Sequence, residues 1–415
     1  MEFYKKQLLT LLKGFMFDIR ESRNLEKLDD LDEDQWNQVY RLASVQQIVP
    51  MIYQSHWKMA GLSGLSQEAK GALKYQVMMQ NVQQIQKTSA FLEIYQKLLE
   101  QNLQCLVVKG ILCRELYADP DSRPSNDEDL FVKKEDLVKC DEILLKNEFS
   151  RQSEDLDGDE IVYYNRRTGL MLEVHVDLFD PKEPAYGAMN DSFQNAFKQA
   201  KKFTAQGQEI WSLCETDHFL FLVFHALKHF LHGGVGIRQI CDIVMAACAW
   251  CEQLDWKYIF EEARKYNADV FVINLLNIGV EYFQCSFEKY NISQQTVLTY
   301  KDKLDSEALL EDLLDAGIFG QSTDDRKHSA TITLNSLRKT ETGKKNTGIL
   351  HSIFPGIREM EYKYHYLKKY PMALPIAWGQ RICSYIFSER RKSPAASIQI
   401  GRKRIELLKK YNVIR

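Results

Sequence analysis

The sequence predicts an α+β protein: a small mixed sheet held between helical flanks. Three observations predict it. Residues 1–101 carry apolar side chains at helical spacing. From Leu103 to Phe179 short β-prone runs alternate with turns and helical segments, and from Leu213 onward the helical period returns. A chain of 415 residues is long enough for several domains. The expected division is a helical N-terminal region (1–101), a sheet-containing domain (102–212) and a helical domain packed on its cleft (213–325). A linker or mobile loop (326–350) and a helical C-terminal region with a basic tail (351–415) follow.

Each flank follows from its pattern. Tyr4–Ile19 places Leu8, Leu11, Leu12, Phe15 and Ile19 on one helical face. Asp34–Ser55 continues through Trp36, Val39, Tyr40, Ala43, Ile48 and Ile52, with Pro50 expected to break it in two. Gln67–Gln101 reads as one long, largely polar helix with an apolar stripe.

The centre is Leu103–Val132. A buried-type strand, Leu103–Val108, turns at Lys109-Gly110 into a short amphipathic helix, Ile111–Tyr117. A polar loop follows, and Asp127-Glu128-Asp129 then opens the apolar run Leu130–Val132. On an extended strand Asp127 and Asp129 share a face about 7 Å apart while Glu128 points away. Two neighbouring carboxylates repel unless a cation lies between them, and Mg²⁺ commonly takes one or two carboxylates plus substrate phosphates. A metal–triphosphate site is therefore the first reading; a solvated turn is the plainer one. After a helix at Lys134–Asn147 come two more β-prone runs, Ile161–Asn165 and Leu170–Phe179. In the latter Leu172, Val174, Val176 and Leu178 fall on one face, Glu173, His175, Asp177 and Phe179 on the other. If this strand lies beside Asp129, Glu173 completes a three-carboxylate cluster. The acidic stretch Glu154–Glu160 lacks the ligand spacing of a calcium loop and reads as a hairpin tip.

Thr216-Asp217-His218 reads as the start of a helix over Phe219–His232, in which His225, His229 and His232 share a face. That spacing suits zinc, a cleft lining or core. Arg238 and Asp242 lie four apart on the next helix, Val235–Trp250, where the arginine suits either a phosphate or an intrahelical ion pair. Cys248 and Cys251 form a lone C-x-x-C inside a helical stretch, which favours buried thiols over a zinc or redox motif. The tail Ser388–Arg415 is basic and reads as an amphipathic helix with Ile405, Leu407 and Leu408 inward. A net charge of −3 gives no global pull towards nucleic acid or membrane. No apolar run reaches the roughly 20 residues of a membrane helix, and the start MEFYKKQLLTLLKGF is unlike a secretory leader, so a cytoplasmic location is expected.

The run K-G-x(5)-L-Y-x-D-P-x-x-R-x-x-x-D-x-D-L-x-V from Lys109 to Val132, followed by L-E-V-H-V at Leu172–Val176, resembles the nucleotidyltransferase superfamily with the polymerase-β palm. More narrowly it is similar to the bacterial group of uncharacterised nucleotidyltransferases, as are Leu213–Phe230, Gly233–Asp242 and Phe354–Arg381. The resemblance implies a polymerase-β-like palm and transfer of a nucleoside monophosphate from an NTP, with ATP the expected donor, to an acceptor that is a small molecule, a protein or an RNA end. It implies Asp127 and Asp129 as the metal pair for two Mg²⁺ ions and Glu173 as the third carboxylate. Gly110 stands at the turn that lets backbone amides approach the triphosphate. Lys109, Arg123 and Arg238 are the candidate phosphate contacts. This sequence departs from the pattern in having Lys109-Gly110-Ile111 for the usual Gly-Gly or Gly-Ser, and Glu128 where an apolar residue is usual. Two other readings stand beside it: a non-catalytic palm that binds nucleotide, RNA or a protein, and a zinc hydrolase built on the three histidines.

Overall fold

The apolar pattern of the N-terminal hundred residues resolves into four helices: α1 (Phe3–Met16), α2 (Glu33–Val45), α3 (Val49–Ala60) and α4 (Gln67–Glu100). The computed structural model describes residues 1–17, 28, 30–153, 156, 158–232, 234–316, 354, 356–360, 364–386 and 394–413, so the expected linker at 326–350 lies outside the described residues and the hairpin tip at 154–160 partly so. The break between α2 and α3 falls at Gln46–Ile48. Pro50 occupies the first turn of α3, where its missing N–H costs no helical hydrogen bond.

Five strands form the mixed sheet: β1 (Leu106–Val107), β2 (Glu128–Phe131), β3 (Phe149–Arg151), β4 (Glu160–Asn165) and β5 (Met171–His175). Their order is β1-β2-β5-β4-β3, with only β2 and β5 parallel among the neighbouring pairs. Two short helices join them, α5 (Ile111–Arg114) after β1 and α6 (Leu137–Lys146) after β2. A single turn, α7 (Ala196–Gln199), leads to a separate hairpin, β6 (Lys201–Ala205) and β7 (Gln208–Ser212). The strand expected over Leu103–Val108 shrinks to two residues. The carbonyls of Cys105 and Val107 accept from the hydroxyls of Tyr95 and Ser212 instead.

The two faces of the sheet serve two purposes. Leu130, Leu172, Val174, Ile161 and Tyr163 are buried together against α4 and α6. The opposite face carries Asp129, Glu173 and His175 and is roofed by α8 (Glu215–Leu231). Because side chains alternate, a slip of one residue would drive the leucines and valines into the cleft, so burial of the apolar set fixes the register. α8 continues into α9 (Ile237–Ala249), α10 (Trp256–Lys265), α11 (Asp269–Tyr282), α12 (Gln294–Tyr300) and α13 (Ser306–Ala316). These helices share one apolar core with α1–α3. The basic tail folds as a helix over Pro394–Lys410, with Leu407 and Leu408 buried. Its Arg404 donates to the Phe230 carbonyl at the end of α8 and lies 3.8 Å from Asp312. Among the described residues, no helix is long and apolar enough to cross a membrane.

Candidate active site

Parallel pairing of β2 with β5 sets Asp129 directly opposite Glu173 and Phe131 opposite His175. Side chains at matched positions of adjacent strands stand about 4.8 Å apart, closer than two residues along one strand. Asp129, Glu173 and His175 accordingly bring one ligand-type atom each within 4.8 Å of one another, and among the described residues they form the one group of three or more that does so. Asp127 stands just before β2 and borders the adjoining cleft with Lys109, Arg123, Ser125, His225 and Arg238. His175 was not among the expected ligands. The signal for it was the L-E-V-H-V alternation that put it on the face of Glu173.

The cluster is buried and electrostatically strained. Asp129 is 1% exposed. Its Oδ1 accepts from Lys109 Nζ at 3.0 Å, and its Oδ2 has no hydrogen-bond partner. His175 Nε2 lies 3.4 Å from Asp129 Oδ1 and 3.9 Å from Glu173 Oε2, yet in hydrogen-bond geometry with neither. Burial works against the Asp129 charge, but Lys109 and His175 outweigh it and hold its carboxyl below the usual range. Glu173 goes the other way: burial first, then the charges of Asp129 and Asp127, push it up to about 9. Two buried atoms without hydrogen-bond partners, Asp129 Oδ2 and His175 Nε2, in a cluster with the Glu173 carboxyl make a donor set that fits a divalent metal.

Glu128 resolves the odd residue of the acidic triplet. Its carboxylate turns to the other face, accepts from the Ile111 amide at 2.7 Å, and pairs with Arg114 Nη1 at 2.6 Å. Arg114 in turn donates to Thr88 Oγ1 on α4. The turn at Gly110, with φ +58 and ψ −113, makes room for this. A Cβ there would lie 1.9 Å from Glu128 Oε2. The expectation that this turn presents its amides to a triphosphate is thus corrected at Ile111, whose N–H is held by Glu128. Replacing Gly110 by Ala should cost about 3 kcal/mol, from backbone strain together with displacement of a buried carboxylate. A denaturant melt that leaves the midpoint unmoved would contradict that account.

The cationic side chains divide in the same way. Arg123 directs Nε and Nη2 to Asp242 and Nη1 to the Pro124 carbonyl, which ties its guanidinium to the wall of the cleft. Tyr117 donates to the same Asp242 at 2.9 Å. The intrahelical pair with Asp242, one of the two roles open to Arg238, gives way to this arrangement. Arg238 instead donates to the Pro124 carbonyl at 2.6 Å, and burial, then the neighbouring Arg123, lowers its pKa to about 10. The roof contributes His225, whose Nε2 lies 3.4 Å from Lys109 Nζ and 3.1 Å from His229 Nε2. Burial and the nearby Lys109 depress both imidazoles, so they are neutral. α8 starts at Glu215, earlier than expected, because its N-cap is Cys214 and Thr216 bonds across to the Gln253 carbonyl.

The zinc readings do not form. His232 Nε2 lies 2.8 Å from the Tyr186 hydroxyl, and among the described residues the three histidines do not form a ligand cluster. Cys248 faces Cys285 at 3.7 Å, not Cys251, and these thiols are free. The cleft beside the triad encloses about 20 Å³, room for about one water. Larger grooves, of about 280 Å³ beside α6 and about 600 Å³ beside the start of α8, lie elsewhere and include none of the triad.

The chain is similar to an antigenic nucleotidyltransferase-like protein from Paracoccidioides brasiliensis, known from its crystal structure. Identity is 16%, the match covers 46% of this chain and 92% of that one, and the TM-score is 0.30. No curated protein matches it. A family profile described as uncharacterised nucleotidyltransferase matches residues 32–284, spanning α2 to α11 and with them the whole sheet, the triad and its roof. On that match, the chain belongs to the uncharacterised nucleotidyltransferase family.

Proposed function

We propose that the protein transfers a nucleoside monophosphate from an NTP to an acceptor, with release of pyrophosphate, in a reaction that depends on divalent metal. One observation carries the reading. Asp129 and Glu173, held side by side by strand register, leave a buried carboxylate oxygen without a partner next to a cationic cleft. Asp129 and Glu173 would hold the metal, with Asp127 or His175 completing the set. A bound divalent ion neutralises phosphate charge and lowers the pKa of an attacking hydroxyl. Transfer of this kind rests on positioning and electrostatic stabilisation. Arg238, buried and under-neutralised, offers its guanidinium to the phosphates. Asp127, which lines the adjoining cleft, would be the ligand to a second ion. Glu173 would either ligate the ion or take the acceptor hydroxyl's proton, the two roles open to a carboxylate at that position. ATP is the expected donor.

The pairing of Asp129 with Lys109 is the observation that favours the second reading, a palm that binds nucleotide without turning it over. Incubation with α-labelled NTPs, Mg²⁺ or Mn²⁺ and a cell extract separates the two. The proposal expects label in an acceptor and pyrophosphate in solution, with no transfer from γ-labelled NTP. Binding of NTP without either product would favour the non-catalytic palm.

A pH dependence follows from Glu173. A carboxyl whose folded pKa is raised from 4.5 to about 9 binds more protons folded than unfolded between those values. Its contribution to stability is therefore present at low pH and lost as pH rises through that window. Metal at pH 7 must displace the Glu173 proton, so binding should release about one proton per protein chain. Calorimetry in buffers of different ionisation heat measures this directly, and zero release would contradict the assignment of Glu173.

A further inference from the structure

Lys109 occupies an unusual position for a phosphate-binding lysine. It lies two residues past the edge strand β1, and its Nζ crosses to the neighbouring strand, reaching Asp129 Oδ1 at 3.0 Å and His225 Nε2 at 3.4 Å. Only one oxygen of Asp129 is satisfied this way; Oδ2 has no hydrogen-bond partner. A single ammonium therefore faces three carboxylates, Asp129 in direct contact and Asp127 and Glu173 through its field. The cleft it fills encloses about 20 Å³, far below the space a triphosphate needs. The lysine stem is flexible and its charge is a rotatable point donor, so the ammonium can exchange one anionic partner for another.

We propose that Lys109 is a built-in counter-ion of Asp129: it competes with the divalent metal for that carboxylate and turns to the phosphates when metal and NTP bind together. The proposal rests on the metal-dependent reading above. Its consequence is that metal affinity is coupled to nucleotide, because the phosphates give the displaced ammonium a new partner. Neutral His225 supports the parked position without adding a competing charge.

Titration of free Mn²⁺ by electron paramagnetic resonance tests this on the full chain, for wild type, Lys109→Met, Lys109→Arg and Asp129→Asn. Each is measured with and without the α,β-methylene analogue of ATP, and circular dichroism and thermal melts establish that every variant is folded. Removing the competing charge should tighten Mn²⁺ binding at least about tenfold without nucleotide, whereas Lys109→Arg should not tighten it. The analogue should tighten binding to wild type at least about tenfold and to Lys109→Met much less. Unchanged or weaker Mn²⁺ binding by folded Lys109→Met, with Asp129→Asn still abolishing it, would overturn the counter-ion role and leave the metal site standing. Absence of Mn²⁺ binding in wild type and Lys109→Met alike, with the analogue present, would overturn both.

Discussion

Replacing Asp129 by Asn is expected to reduce nucleotidyl transfer by roughly 10³-fold or more, since a bound metal contributes several kcal/mol of transition-state stabilisation and about 1.4 kcal/mol is tenfold in rate. The fold should survive. Asparagine keeps an oxygen that accepts from Lys109, now 3.0 Å from Oδ1, and the loss of one negative charge relieves Glu173. Steady-state rates of pyrophosphate release, measured beside a thermal melt, check both halves. Full activity in a folded Asp129→Asn variant would remove Asp129 from the chemistry. Lost activity accompanied by unfolding would make its role structural.

One residue earlier the opposite outcome is expected. Glu128→Ala should destabilise the protein by about 3–5 kcal/mol, the usual cost of stranding one partner of a buried ion pair. Arg114 is 1% exposed and would keep only its bond to Thr88 among the contacts described here, while the Ile111 amide would lose its acceptor. The denaturant midpoint should fall with the slope of the transition unchanged. A variant as stable as the parent, yet inactive, would place Glu128 in the reaction instead of the frame.

These contrasting neighbours show what was legible in the sequence. Strand alternation is local, with period two, so the division of labour between Glu128 and Asp129, and between Leu172 and Glu173, could be read from the residues alone. The placement of Glu173 beside Asp129 was conditional on the two strands being neighbours, and the parallel register supplies that condition. Asp127 was read as the partner of Asp129 along one strand. The strand begins at Glu128, and the closer companions came from β5. Arg123 and Asp242 were separately visible, but nothing local shows that they pair across the cleft, leaving Arg238 with the Pro124 carbonyl. The long helices, fixed by many periodic positions, were the most legible; β1 was the least, because hydroxyls from α4 and β7 take the place of ladder bonds.

The most direct measurement is anomalous diffraction from crystals grown with Mn²⁺ and the α,β-methylene analogue of ATP. The account predicts a peak within about 2.3 Å of carboxylate oxygens from both Asp129 and Glu173, with the Lys109 ammonium turned to phosphate. A bound nucleotide with Lys109 still on Asp129 and no peak between the two carboxylates would contradict it.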